Sequence, residues 1–217
     1  MDRLKQLDLK KTIAILEKNK MMFLKCDTSR SPEQAAEISK KIGFPVVLKI
    51  VSNNIIHKSD IGGVIVGIDN EAQAAEAYNK IMKSSKKVKN AKIEGVLVQK
   101  MEKGIEVIVG LKRDPQFGPV IMFGLGGIFV EIMKDTALRI SPINKSQAME
   151  MIKEVKAYPI LAGARGSNPV NLEALSNIIM RISKLAENKN IIEIDFNPVI
   201  VNERSAFIAD ARIITLE

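Results

Sequence analysis

The chain has 217 residues, 46% of them hydrophobic and 27% charged, and carries a formal net charge of +8. A chain of this length buries roughly 70% of its unfolded surface, no apolar run in it reaches the length of a bilayer span, and a single cysteine (Cys26) with a single histidine (His57) excludes both an internal disulfide and a thiolate–imidazole zinc cage. With aromatics at 4%, no Trp and Lys/Arg spread along the chain apart from Lys86-Lys87-Val88-Lys89, the positive charge suits a small polyanion such as a nucleotide or coenzyme rather than nucleic acid.

The N-terminus, Met1-Asp2-Arg3-Leu4-Lys5, leads into an amphipathic stretch and not into the apolar core of a signal peptide, so the expected location is the cytoplasm, with no membrane partner. A helix is predicted over 32–42: Ser31 is a natural N-cap, Pro32 fits the first helical position, and Gln34 completes a capping-box pattern. Gly43 closes it, and Phe44-Pro45 leads into a buried strand at 46–51. A second strand is expected at 63–68. Asn70 then caps a helix over about 71–83, whose Ala74, Ala77, Tyr78 and Ile81 share one face. A polar, lysine-rich loop at 84–92 precedes a strand at 94–101.

Gly104 opens a second block. Strands at 105–111 and 119–123 flank the turn Arg113-Asp114-Pro115-Gln116-Phe117-Gly118, and Gly124-Leu125-Gly126-Gly127 leads into an apolar run at 128–132. Helices are predicted at about 145–157 and 172–187, the second with Leu175, Ile178, Ile179, Ile182 and Leu185 at helical spacing. The glycine-rich segment 163–169 lies between them. Strands at 191–201 and 206–216 close the chain. The pattern is α+β, with an N-terminal segment 1–30 of uncertain role, one lobe over 31–100, a second over 101–217, and a hinge near 99–104.

Two places carry chemistry. In residues 45–68, Lys49 interrupts an apolar strand, His57 sits in a polar connection, and Gly62-Gly63 opens the next strand. These supply a fixed positive charge, a titratable ring and backbone able to approach an anion closely, which suits a phosphoryl group held or passed on. The plain alternative is a hairpin with a solvent-exposed histidine. At the C-terminus, alternation along 191–197 puts Glu193, Asp195 and Asn197 on one face and Ile192, Ile194 and Phe196 on the other. With the turn at Asn202-Glu203-Arg204-Ser205, Asn197 pairs with Asp210. Two oxygen ligands with Asp195 beside them suit Mg²⁺, which takes one or two carboxylates plus substrate phosphates; a solvated polar face on an edge hairpin is the alternative.

Other phosphate motifs are missing. The chain has no Gly-x-x-x-x-Gly-Lys-Ser/Thr loop, and Gly124-Leu125-Gly126-Gly127 lacks both the third glycine and the βαβ surroundings of a dinucleotide fingerprint. No serine sits in a nucleophile elbow.

Taken in order, the segments FPVVLKIVS, HKSDIGGV, VLVQKM, EVIVGLKRDPQFGPVIMFGLGGIFVE, LRISPI, GARG and EIDFNPVIV followed by IADARI resemble the nucleotide-binding β subunit of ADP-forming acyl-CoA synthetases, over about residues 30–214. The leading segment LEKNKMMFLKCDTSRS departs from the family's pattern. The resemblance implies an ATP-grasp fold, in which two α+β lobes clamp Mg-ATP. It implies reversible conversion of acyl-CoA, ADP and phosphate into the acid, CoA and ATP, with CoA held on a separate α subunit in an α2β2 or similar assembly. A phosphohistidine on that subunit would carry the phosphoryl group, and His57, in the HKSD motif, would relay it. By the same match Lys49 would contact the ATP phosphates and Arg139 would assist. Gln99, Lys100 and Met101 would face adenine through their backbone, Glu106 would lie in the same cleft, and Asn197 and Asp210 would hold Mg²⁺ with Asp195 as neighbour. A free-standing ATP-grasp ligase joining a carboxylate to an amine, and a non-catalytic nucleotide-sensing subunit, are the rival readings.

Overall fold

The computed structural model describes residues 3–52, 55, 58–86, 88, 89, 91–127 and 134–217; His57 and the run expected at 128–132 lie outside the described residues. In chain order the described elements begin with β1 (Leu4–Gln6), α1 (Leu9–Lys18), β2 (Cys26–Ser29), α2 (Pro32–Ile42), β3 (Val46–Ser52), β4 (Val64–Ile68), α3 (Glu71–Ser85) and β5 (Ile93–Lys100). They continue with β6 (Ile105–Asp114), β7 (Gly118–Leu125), β8 (Thr136–Ile140), α4 (Lys145–Glu154), α5 (Tyr158–Leu161), α6 (Leu172–Leu185), β9 (Ile191–Val201), β10 (Ala206–Ile208) and β11 (Ala211–Leu216).

Two compact units result. One is Leu24–Glu102; the other joins the residues up to Phe23 with Lys103–Glu217. The segment 1–30, to which the sequence assigns no role, is therefore shared. Its first strand, β1, pairs with β11, while β2 pairs with β5.

The Leu24–Glu102 unit is an antiparallel sheet in the order β2-β5-β3-β4 with α2 and α3 on one face. Strand alternation decides which residues meet those helices. Val46, Leu48 and Ile50 of β3 and Val96 and Val98 of β5 pack against Ala35, Ala74, Ala77 and Ile81. At about 1.5–3 kcal/mol for each large side chain removed from water, this layer is what holds the unit together. The odd-numbered residues, Val47, Lys49, Leu97 and Gln99, point to the other face. Both helices start where the sequence places them. Ser31 Oγ accepts from the Gln34 N–H at 3.1 Å, and Asn70 Oδ1 accepts from the Gln73 N–H at 2.9 Å. Gln34 reaches back to the Arg30 N–H at 2.7 Å, one residue earlier than in a strict capping box.

The other unit is a sheet in the order β1-β11-β9-β6-β7-β8, with β10 also paired to β9. Helices α4 and α6 cover the face that presents Val107, Val109, Leu111, Ile121, Phe123, Ala137, Ile194 and Phe196. Asn144 and Gln147 form a reciprocal capping box at the start of α4. Two expected elements differ. The helix anticipated over 145–157 ends at Glu154, because Asp135 draws the next chain turn inward by accepting from the Lys156 and Ala157 N–H groups, both at 2.8 Å. The strand anticipated over 206–216 is interrupted at Ala209-Asp210.

Candidate functional site

That interruption shapes the C-terminal hairpin. The turn is the four-residue one expected: the Asn202 N–H donates to the Ser205 carbonyl at 3.0 Å, and Asn202 Oδ1 accepts from the N–H groups of Arg204 and Ser205. One register then runs through the hairpin, from Ala206 opposite Val201 to Ala211 opposite Phe196 and Arg212 opposite Asp195. It places Asn197 opposite Asp210, and the Asn197 N–H donates to the Asp210 carbonyl at 3.2 Å.

At this point the two strands change which residues face the core. On β9 the core residues are Ile194 and Phe196 below the break and Val199 and Val201 above it; on the partner they are Ala211 and Ile213, then Ile208 and Ala206. The other neighbour of β9 shows the same irregularity, since a register shift between Val107 and Val109 sets Ile108 against Asn197 and Pro198 together. A bulge of this kind bends the strand and re-aims side chains. Asn197 is exposed between buried Phe196 and half-buried Pro198.

Asp195 lies on the sheet face opposite α4 and α6, with Gly110 of β6 and Arg212 of β11 as cross-strand neighbours. Burial pushes its carboxyl above the ordinary aspartate value; nearby Arg212 opposes that shift, and Glu193 and Asp210 add to it. Arg212 forms an ion pair with Glu193 and stands 3.9 Å from Asp195. Sequence reasoning missed this arginine, although the expected register already places position 212 opposite 195. The donors suit a hard cation: an Asn amide oxygen, the Asp210 carboxylate, and a second carboxylate, Asp195, whose ionisation a cation would favour. Among the described residues no three carboxylate, imidazole or thiolate side chains converge on a metal. A cation at this hairpin would accordingly draw further ligands from phosphate oxygens and water.

Glu106 belongs to the same sheet face as Asp195 by strand parity, and its carbonyl accepts from the Gly126 N–H at 2.8 Å. Arg139 does not. It follows Leu138 on β8, lies on the helix-covered face, and pairs with Glu154 of α4 while donating to the Leu138 carbonyl at 2.8 Å. Strand alternation thus turns Arg139 away from the face that bears Asp195.

In the Leu24–Glu102 unit, Lys49 projects from the face opposite the helices, where β3 pairs with Leu97 of β5 and Val64 of β4. Gln99 lies on that face between Cys26 and Val47. Burial, with Asp27, raises the Cys26 thiol to about 11, and the Lys49 charge opposes the shift, which puts the ammonium within electrostatic reach of the thiol. Lys100 points the other way. Its Nζ donates to the carbonyls of Gly43 and Phe44, both at 2.9 Å, fastening the end of α2. The Lys100 and Met101 N–H groups donate to the Lys25 and Pro45 carbonyls, at 2.8 and 3.1 Å.

The glycine pair is also engaged. The Gly62 N–H donates to the Ser59 carbonyl and the Gly63 N–H to the Lys58 carbonyl. A Cβ at Gly63 would meet Ile50 Cγ2 at 2.7 Å and the Lys58 carbonyl at 2.8 Å. These glycines therefore close the connection between β3 and β4; their N–H groups are not open to an anion as the sequence suggested.

The family model for the ATP-grasp domain matches residues 2–215. The beta subunit of ADP-forming acetate–CoA ligase I from Pyrococcus furiosus is 55% identical over 189 residues, which cover 86% of this chain and 82% of that one. The chain belongs to the ATP-grasp family, among the β subunits of ADP-forming acyl-CoA synthetases. The ADP-forming acetate–CoA ligase I of Archaeoglobus fulgidus is 46% identical over 86% of this ATP-grasp chain, which spans 27% of that longer protein. Acetyl-coenzyme A synthetase 1 of Ca. Korarchaeum cryptofilum, solved with coenzyme A and Ca-AMPCP, superposes with a TM-score of 0.92 at 44% identity, covering 97% of this chain and 93% of that one. The same enzyme, solved with coenzyme A and Mg-AMPPCP and with its phosphohistidine segment pointing towards the nucleotide-binding site, matches with a TM-score of 0.83 at 41% identity over the same shares. Among the described residues no helix is long and apolar enough to cross a membrane.

Proposed function

We propose that this chain is the nucleotide-binding subunit of an ADP-forming acyl-CoA synthetase, interconverting acyl-CoA, ADP and phosphate with acid, CoA and ATP. The observation that carries the reading is the pairing of Asn197 with Asp210 beside Asp195, in a chain 55% identical to an acetate–CoA ligase β subunit. The relatives' names favour this reading over a free-standing carboxylate ligase and over a non-catalytic nucleotide sensor.

Each residue has a part. Asn197 and Asp210 hold Mg²⁺ through their side-chain oxygens, with Asp195 alongside; the ion, when bound, screens the charge of the phosphates. Lys49 adds a fixed positive charge for the same phosphates. The strand end Gln99–Met101 sits against the base, with Lys100 acting through its fixed backbone rather than its ammonium. Glu106 contributes from the face it shares with Asp195. Arg139, paired with Glu154, acts at most by positioning. His57 is the relay. A neutral imidazole is a competent nucleophile near pH 7, so a ring nitrogen bonds the phosphorus as the bond from phosphorus to the donor phosphohistidine breaks. The new N–P bond then breaks as an ADP oxygen bonds the phosphorus to give ATP. The partner is a CoA-binding α subunit in an α2β2 or similar assembly in the cytoplasm, and it takes the small acid, CoA and phosphate.

Mixing the chain and its α subunit with ATP labelled in the γ-phosphate tests the relay. Acid-labile, base-stable label on the peptide containing His57 is expected, and His57→Asn should abolish it while leaving Mg-ADP affinity within about twofold. Full acyl-CoA synthesis by His57→Asn would exclude the relay.

A further inference from the structure

The side chain of Gln99 is fully buried, and neither its Oε1 nor its Nε2 has a hydrogen-bond partner in the protein. Buried polar groups are nearly always satisfied, so each exception calls for an account. Gln99 stands near the end of β5, in the apolar run Val96-Leu97-Val98, and its side chain leaves the sheet on the face opposite α2 and α3. On that face Cys26 and Val47 are its cross-strand neighbours, and neither the Cys26 thiol nor the Val47 isopropyl group satisfies the amide. Lys49 projects from the same face, and its charge is felt at Cys26.

We infer that the Gln99 carboxamide reads the base of the bound nucleotide and selects adenine over guanine. The inference rests on the nucleotide-binding reading above. A carboxamide holds one acceptor and two donors side by side. Adenine presents the matching pair, the N6 amino donor beside the N7 acceptor, which is the pattern a glutamine meets with two hydrogen bonds. Guanine presents two acceptors, O6 and N7, on the same edge. No orientation of the amide satisfies both its atoms there, and Oε1 would face a carbonyl in a site closed to water. Phosphate is a poor match for the same reason, being all acceptor; the charged partner on this face is Lys49. The side chain of Lys100 cannot share the task, because its Nζ is engaged by the Gly43 and Phe44 carbonyls.

The test compares the Mg²⁺ complexes of ADP, GDP and IDP, titrated calorimetrically into the full chain and into Gln99→Met, a substitution that keeps length and volume but removes both polar atoms. IDP replaces the N6 amino group with an oxygen. Wild type should bind ADP about ten- to a hundredfold more tightly than GDP or IDP. In Gln99→Met the three should agree within about threefold, mainly through loss of ADP affinity. Nucleotide-free Gln99→Met should melt at or above the wild-type temperature, since an unpartnered amide has been removed. An unchanged ADP preference in the variant, or a lowered melting temperature without nucleotide, would overturn the assignment. Wild type that binds none of the three would instead overturn the nucleotide-binding reading on which it stands.

Discussion

Asn197 and Asp210 face each other where β9 and its hairpin partner both change the side they present to the core, and their backbones are joined there by one hydrogen bond of 3.2 Å. A regular hairpin would continue to alternate, and a polar pair within it would lie flat among its neighbours. The break instead leaves Asn197 exposed beside Val199, Ile200 and Val201, all of them buried. Local irregularity in a sheet weakens the ladder, and here it coincides with the oxygen-bearing residues.

Asp195 is held against its own preference, being partly buried and near Glu193 and Asp210, with one arginine to offset them. Asp195→Asn should therefore raise the melting temperature of the metal-free protein at neutral pH and weaken Mg²⁺-dependent nucleotide binding. Melting curves in EDTA, set beside Mg-ADP titrations, check both. A variant that is less stable without metal would show that Arg212 outweighs the burial.

How legible this was depended on the kind of signal. Helix starts were readable because Ser31 and Asn70 each accept from an N–H three residues on, which is a local matter. The Asn197–Asp210 pair was readable because a four-residue turn fixes the register. The fate of Lys100 and Arg139 was not. The resemblance gave Arg139 an assisting part at the phosphates and Lys100 only its backbone at the base, and the work of both side chains follows from the parity of their strands and the nearness of Gly43, Phe44 and Glu154. The N-terminal strand β1 was equally hidden, as its partner β11 lies about two hundred residues away and no local pattern announces the pairing.

Lys100→Met removes two charge-assisted hydrogen bonds that fasten the end of α2 to β5. The expected loss is about 1–3 kcal/mol of stability, read as a lower urea midpoint with an unchanged slope. Mg-ADP affinity should stay within about threefold. A large loss of affinity without loss of stability would instead put the ammonium at the nucleotide.

Cys26 supplies a pH-dependent readout. With its thiol raised to about 11, it is roughly one part in a thousand thiolate at pH 8. Alkylation of the native protein by iodoacetamide should be slow and should climb without levelling off up to pH 10. Because the folded state keeps a proton that the unfolded chain loses near its ordinary value of about 8.5, stability should fall as the pH rises through that window. Lys49→Met removes the charge that favours the thiolate, so alkylation should slow further. A plateau near pH 9, or no effect of Lys49→Met, would contradict the arrangement of these two residues.

Calorimetric titration of ADP with and without Mg²⁺ into wild type and Asp210→Ala tests the central claim most directly. Binding to wild type that requires Mg²⁺ and falls at least tenfold in Asp210→Ala is the predicted result. Equal, Mg²⁺-dependent binding by both proteins would contradict it and place the metal away from the hairpin.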